Sequence, residues 1–183
     1  MNRLEEKTIK IEKIFDGKVI SLQVEDVELP NGSHSKREII KHPGAVAILA
    51  ITADDKIVMV EQYRKALEKI IVEIPAGKLE PGEDPLQCAK RELEEETGYV
   101  SKEMEHLISF YTSPGFADEL VHLYIAKGLE QKEDAAGLDE DEFVNLIELT
   151  LEEAEQLLQE KKIYDAKTAY AVQYLQLQKA LKK

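Results

Sequence analysis

Residues 77–99 read GKLEPGEDPLQCAKRELEEETGY, and this stretch decides how the rest of the chain is understood. Asp84 can cap a helix, Pro85 suits its first turn and Gly98 stands just past its end, so a helix is expected over 85–97. Glu92, Glu95 and Glu96 are spaced i, i+3 and i+4 along it, which puts three carboxylates on one face, while Glu94 points nearly the opposite way. Leu86, Ala89 and Leu93 form a stripe beside that acidic edge. The carboxylates therefore sit where the helix meets the body of the protein rather than on its outermost surface. Like charges crowded at a partly desolvated edge call for a cation. Oxygen-only donors are the signature of a hard ion such as Mg²⁺ or Mn²⁺. Arg91, four residues before Glu95, can hold that side chain, and Glu83 reaches the same edge from just before the cap. A glutamate-rich helix is more often a solvated face with ion pairs, so the cluster has to be weighed with its flanks.

Upstream, the period is that of strands. Residues 8–15 and 18–29 alternate apolar and polar positions around the Asp16-Gly17 turn, and Pro30-Asn31-Gly32 makes a second turn. Residues 37–41, 45–52, 56–63 and 70–74 continue the pattern. Downstream, strands are expected near 107–112, 120–126 and 143–149. The acidic stretch 130–142 reads as a mobile loop. Thr150 with Glu153 forms a capping box for a helix to about residue 160, and Asp165 can cap a last helix to 181. The expected fold class is α/β, with an N-terminal β region over 1–42 and the main domain over 43–183.

At 183 residues the chain can bury one continuous core, and it holds no apolar run long enough to span a bilayer. The single cysteine, Cys88, excludes an internal disulfide and a Cys-rich zinc site, which fits a soluble, cytoplasmic protein. Thirty-seven acidic against 24 basic residues give a formal charge of −13, and such a surface repels nucleic acid. It also repels phosphate-bearing small molecules, so an enzyme of this charge that handles them must neutralise its carboxylates locally.

The order Gly77, five residues, Glu83, seven residues, Arg91-Glu92-Leu93, one residue, Glu95-Glu96, one residue, Gly98 resembles the box of the Nudix hydrolases at each of these positions. Tyr99, where that family prefers an aliphatic residue, departs from it in what reads as a matter of packing. The resemblance implies an α/β/α sandwich with a mixed sheet. It also implies two or three Mg²⁺ ions, with Mn²⁺ as a substitute, held by Glu92, Glu95, Glu96 and the carbonyl of Ala76, with Glu83 in support. Glu95 and Arg91 count with the catalytic set in this reading. Pro114 in Ser113-Pro114-Gly115, sixteen residues past Gly98, is similar to a mark of the branch that cleaves ADP-ribose. So are Arg37-Glu38-Ile39, Glu61-Gln62-Tyr63-Arg64, Glu73-Ile74-Pro75-Ala76-Gly77 and the C-terminal stretch 162–177.

By that likeness Arg64 grips a phosphate or the terminal ribose, Arg37 faces the adenine end and Glu119 bonds sugar hydroxyls. Lys78, Ser113, Pro114 and Gly115 join them as substrate contacts. Glu140 corresponds best to the general base, with Glu142 close behind and a further metal ligand. No aromatic residue lies between Phe15 and Tyr63, where relatives often stack a ring on adenine. The expected reaction is hydrolysis of ADP-ribose to AMP and ribose 5-phosphate by a homodimer. Two alternatives stay open: a hydrolase of another nucleoside-diphosphate sugar or dinucleotide, and a module that binds ADP-ribose or NAD without cleaving it.

Overall fold

The computed structural model describes residues 3–132 and 143–182, and the chain divides into two compact units. The first combines residues 1–44 with 110–120. Its strands β1 (Lys7–Asp16), β2 (Ser21–Glu28) and β3 (His34–Lys41) form an antiparallel sheet in that order. Gly32 takes a positive φ of 81° in the β2–β3 turn, a conformation that costs a glycine nothing. The 110–120 segment is laced to β3: Ile40 donates its N–H to the Phe116 carbonyl at 2.8 Å, and the Asp118 carboxylate accepts the His42 N–H at 2.8 Å and pairs with Lys41.

The second unit holds residues 45–109 and 121–183. Its strands are β4 (Ala45–Ile51), β5 (Ile57–Arg64), β6 (Lys69–Glu73), β7 (Ala76–Lys78), β8 (Tyr99–Tyr111), β9 (Leu120–Gln131) and β10 (Val144–Leu149). The helices are α1 (Pro85–Thr97), α2 (Leu151–Gln159) and α3 (Ala166–Leu181). The sheet runs β10-β5-β4-β9-β8, with β6 beside β5 and β7 beside β4. β4 pairs with β9 in parallel and with β5 and β7 antiparallel, so the sheet is mixed as expected.

Successive side chains of a strand face opposite sides, yet Val46 to Ala50 of β4 are all fully buried, so both faces of the sheet are covered. On one face Val46, Ile48, Ala50, Val58 and Ala126 pack with Cys88, Ala89 and Leu93 of α1. The C-terminal helices bury Ala154, Thr168, Ala171 and Val172. Here the Thr168 hydroxyl accepts the Ile74 N–H at 3.1 Å.

Helix ends fall where the capping residues put them. Asp84 accepts the N–H groups of Leu86 and Gln87, both at 3.1 Å, and Gly98 closes α1 with φ 72°. Thr150 and Glu153 complete the capping box of α2, and Asp165 accepts the Thr168 N–H at 3.1 Å. The strand ends hold less well. β8 begins at Tyr99 rather than near 107, and β9 runs on to Gln131. β8 is last in the strand order and its first half carries Lys102, Glu103 and Glu105 outward, so the apolar alternation that betrays a half-buried strand is missing.

Leu93 is fully buried between α1 and the sheet. Leu93→Ala is expected to cost about 2–5 kcal/mol in urea unfolding with chelator present, and a loss under about 1 kcal/mol would contradict this packing.

Candidate active site

The junction of β7 and α1 is made by an absence of side chain. A Cβ on Gly77 would fall 1.8 Å from the Glu92 carboxyl carbon, so the β7 backbone and that carboxylate occupy adjoining space only because residue 77 is glycine. One residue earlier, Ala76 donates its N–H to Glu96 Oε2 at 3.0 Å. Glu92 and Glu96 are 8% and 7% exposed, an unusual state for carboxylates and one that requires compensation.

Arg91 supplies part of it. Its Nε and Nη2 bond the two oxygens of Glu83, each at 3.1 Å, and its Nη1 reaches Glu92 Oε1 and Glu95 Oε2, both at 2.8 Å. The Arg91 guanidinium, with the Glu80 N–H, holds the Glu83 carboxyl down at about 2. The expectation that Arg91 secures Glu95 is met, and Arg91 secures two further carboxylates besides. Glu94 points elsewhere, to Lys132 at 2.6 Å.

Among the described residues, Glu83, Glu92 and Glu95 share the Arg91 guanidinium, and Glu96 is bonded by the Ala76 N–H and acted on by Arg64. Among the described residues no three acidic, imidazole or thiol groups converge on one point, and it is Arg91 that stands between Glu83, Glu92 and Glu95. The donor chemistry nevertheless fits hard divalent ions: carboxylate oxygens in excess, backed by a glycine that leaves room for Glu92. Burial pushes the Cys88 thiol up to about 12, so it offers no thiolate to a softer metal.

A second ionic cluster lies at the end of β6. Glu73 is 1% exposed, and its carboxylate accepts Arg64 Nε at 2.7 Å and Nη2 at 2.8 Å as well as the Lys167 ammonium. Lys167 also bonds Asp165 at 2.9 Å. Burial alone would raise the Glu73 carboxyl, but the two cations outweigh it and hold it below the usual range. Arg64 is kept charged chiefly by Glu73, with Glu96 among the further charges acting on it. Sequence reasoning placed Arg64 at a phosphate and missed Glu73 and Lys167 as its holders. The available signal was a lone acid in the apolar run Ile70-Ile71-Val72-Glu73-Ile74.

Of the remaining expected residues, Lys78 is exposed on β7. In the first unit the Arg37 guanidinium is engaged by Glu6 at 2.8 and 2.6 Å and by Ser35 at 3.0 Å. There too the Ser113 carbonyl accepts the Ala117 N–H at 2.9 Å, Pro114 and Gly115 follow it in the turn, and Glu119 accepts the Thr112 hydroxyl at 2.5 Å. Glu140 and Glu142 lie outside the described residues. Tyr99 does more than pack: its hydroxyl donates to Glu148 Oε1 at 2.6 Å, tying the end of α1 to β10.

If the β7–α1 edge holds divalent ions, saturating Mg²⁺ at about 100 times its dissociation constant should stabilise the chain by about 2.7 kcal/mol, roughly 5–10 °C in Tm. Gly77→Ala, which drives a methyl into Glu92, should abolish that Mg²⁺-dependent rise. An undiminished rise would show that the close approach plays no part.

The family model described as the NUDIX domain matches residues 41–171. The chain is 74% identical over 178 residues to the methanol dehydrogenase activator of Bacillus methanolicus, covering 97% of this chain and 96% of that protein. It is 64% identical over 181 residues to the ADP-ribose pyrophosphatase of Bacillus subtilis (strain 168), covering 99% and 98%. A crystal structure of an ADP compounds hydrolase superposes with a TM-score of 0.82 over 94% of this chain and 92% of that one at 21% identity, a likeness of fold. With the box residues gathered at one helix edge and the family model spanning most of its length, the chain belongs to the Nudix family.

Proposed function

We propose that this chain hydrolyses ADP-ribose at its diphosphate, releasing AMP and ribose 5-phosphate. The observation that carries the reading is the carboxylate-rich edge at β7–α1, held by Arg91 and backed by a glycine, in a chain 64% identical along its length to an ADP-ribose pyrophosphatase. Two or three Mg²⁺ ions, or Mn²⁺, held by Glu92, Glu95, Glu96 and the Ala76 carbonyl would screen the diphosphate and acidify a water. Arg91 and Glu83 orient those carboxylates. Arg64 and Lys78 contact phosphate oxygens, where a guanidinium's forked donors suit a diphosphate. Arg37 is the proposed contact to the base, with Glu119 and the Ser113-Pro114-Gly115 turn toward the ribose. Glu140, or Glu142 beside it, takes the proton as water oxygen attacks phosphorus and the bridging P–O bond breaks.

The likeness to a methanol dehydrogenase activator favours a second reading, in which the chain also acts on such a dehydrogenase. We further propose a homodimer formed through the first unit. Every residue of β1 is exposed, and Ile9, Ile11, Ile14 and Phe15 are each more than half exposed, an apolar strand that a second copy would cover. A reducing, cytoplasmic location suits its lone buried thiol.

AMP release from ADP-ribose with Mg²⁺, set against NADH, ADP-glucose and 8-oxo-dGTP, should favour ADP-ribose and fall by at least about 100-fold in Glu96→Gln. Preference for another compound would sink the substrate assignment. Stimulation of a purified methanol dehydrogenase that Glu96→Gln also abolishes would make the second reading a consequence of the hydrolysis. In sedimentation equilibrium the chain should run at twice its 20.8 kDa mass, and a monomer at micromolar concentration would refute the dimer.

A further inference from the structure

We propose that Glu73 and Lys167 are positioning residues that pin Arg64 in the orientation in which it meets the substrate's diphosphate. The inference rests on the diphosphate reading above and extends it to residues that never touch substrate.

The register of the sheet shows that this is not an ordinary cross-strand ion pair. Arg64 lies opposite Lys69 and Glu73 lies opposite Val60, so Glu73 is four positions along β6 from Arg64's own partner. Both side chains must therefore extend along the sheet to meet. Arg64 is thus aimed by a distant carboxylate rather than by its neighbours. Glu73 takes the Nε and Nη2 edge, and among the described residues Nη1 has no hydrogen bond, so the outer part of the fork is left for an anionic ligand.

Lys167 fixes the holder. A carboxylate bonded only to Arg64 could swing with it, but Glu73 is also bonded by Lys167, which is tied to Asp165 at the start of α3. Two acids and two bases make the cluster formally neutral, so Glu73 stays ionised at 1% exposure. Glu96, at the carboxylate edge, is among the charges that act on Arg64. The guanidinium therefore stands within electrostatic reach of the place where the box carboxylates would meet phosphate. An ion pair serving stability alone could be replaced by apolar packing at little cost, whereas one that aims a substrate contact could not.

The test is steady-state kinetics with ADP-ribose and Mg²⁺ on the full chain. A contact made in both ground and transition states appears in KM, so Glu73→Gln should raise KM by about tenfold or more, the scale of one charge-assisted hydrogen bond, with kcat within about threefold. Arg64→Ala should do the same, and adding Glu73→Gln to it should change KM no further. Lys167→Met should raise KM and Lys167→Arg should restore it, a pair that decides the matter even if Glu73→Gln fails to fold. Unchanged KM in folded Glu73→Gln or Lys167→Met, or fully additive effects with Arg64→Ala, would overturn the proposal. If the native chain spares ADP-ribose but cleaves another panel member, the substrate reading falls and the same comparison on that compound decides the positioning role. A chain that cleaves none overturns both.

Discussion

Arg91 bonds three carboxylates, Glu83, Glu92 and Glu95, that it can orient but cannot neutralise, and Glu96 beside them is held by the Ala76 N–H. Two like charges about 4 Å apart near a protein surface repel by about 4 kcal/mol, so Glu83, Glu92, Glu95 and Glu96 would splay outward if the scaffold let them. Three features prevent this. The Asp84 cap and Gly98 terminus fix the length and phase of α1, so the glutamates share a face. Leu93 and Ala89 on the adjoining stripe clamp the helix to the sheet. Gly77 lets the β7 backbone come so near Glu92 that any side chain there would collide with it. Each is a requirement of ordinary folding, and together they hold an arrangement that ordinary folding would avoid.

The cluster at Glu73 shows the same chain handling buried charge in another way. Arg64 and Lys167 match Glu73 and Asp165 one for one, and the hydrogen bonds are short and forked. At β7–α1 Glu83, Glu92 and Glu95 share the single guanidinium of Arg91. Nearly buried carboxylates gathered this closely are uncommon, and the crowding at Glu92 and Glu96 is what supports a functional reading. The contrast also separates two kinds of arginine. Arg91 spends all three nitrogens on carboxylates and so orients, whereas Arg64 spends one edge and keeps the other.

Local chemistry was the most legible part of the sequence. Asp84, Thr150 and Asp165 act as caps because the signal and the structure lie within four residues of each other, and the phase of Glu92, Glu95 and Glu96 follows from helical pitch alone. What was not legible depends on distance in the chain. Lys167 meets Glu73 across 94 residues, and Tyr99 meets Glu148 across 49, and no periodicity reports such pairings. The early half of β8 escaped for a different reason, since an edge strand needs no buried face and so writes no alternation into its residues. Arg37, expected at the adenine end, is taken up in the first unit by Glu6, 31 residues away, a pairing no local pattern announces.

The overall charge of −13 is a poor guide to how this protein meets an anion. Much of its surface charge is matched in pairs, among them Lys36 with Asp26, Lys102 with Glu130 and Lys132 with Glu94. At physiological ionic strength what is unmatched is screened beyond about 8 Å. The charges nearest β7–α1 are therefore the ones that count there: the box carboxylates, Arg91 with all three nitrogens engaged, and Arg64, which Glu96 acts on and which keeps an open edge. On the proposed function those carboxylates would repel a diphosphate until cations intervened, so binding of the ions and of the anion would be coupled, each raising the other's affinity by the same factor. Such coupling would let an acidic protein bind a polyanion without a basic surface, and would make recognition conditional on the metal.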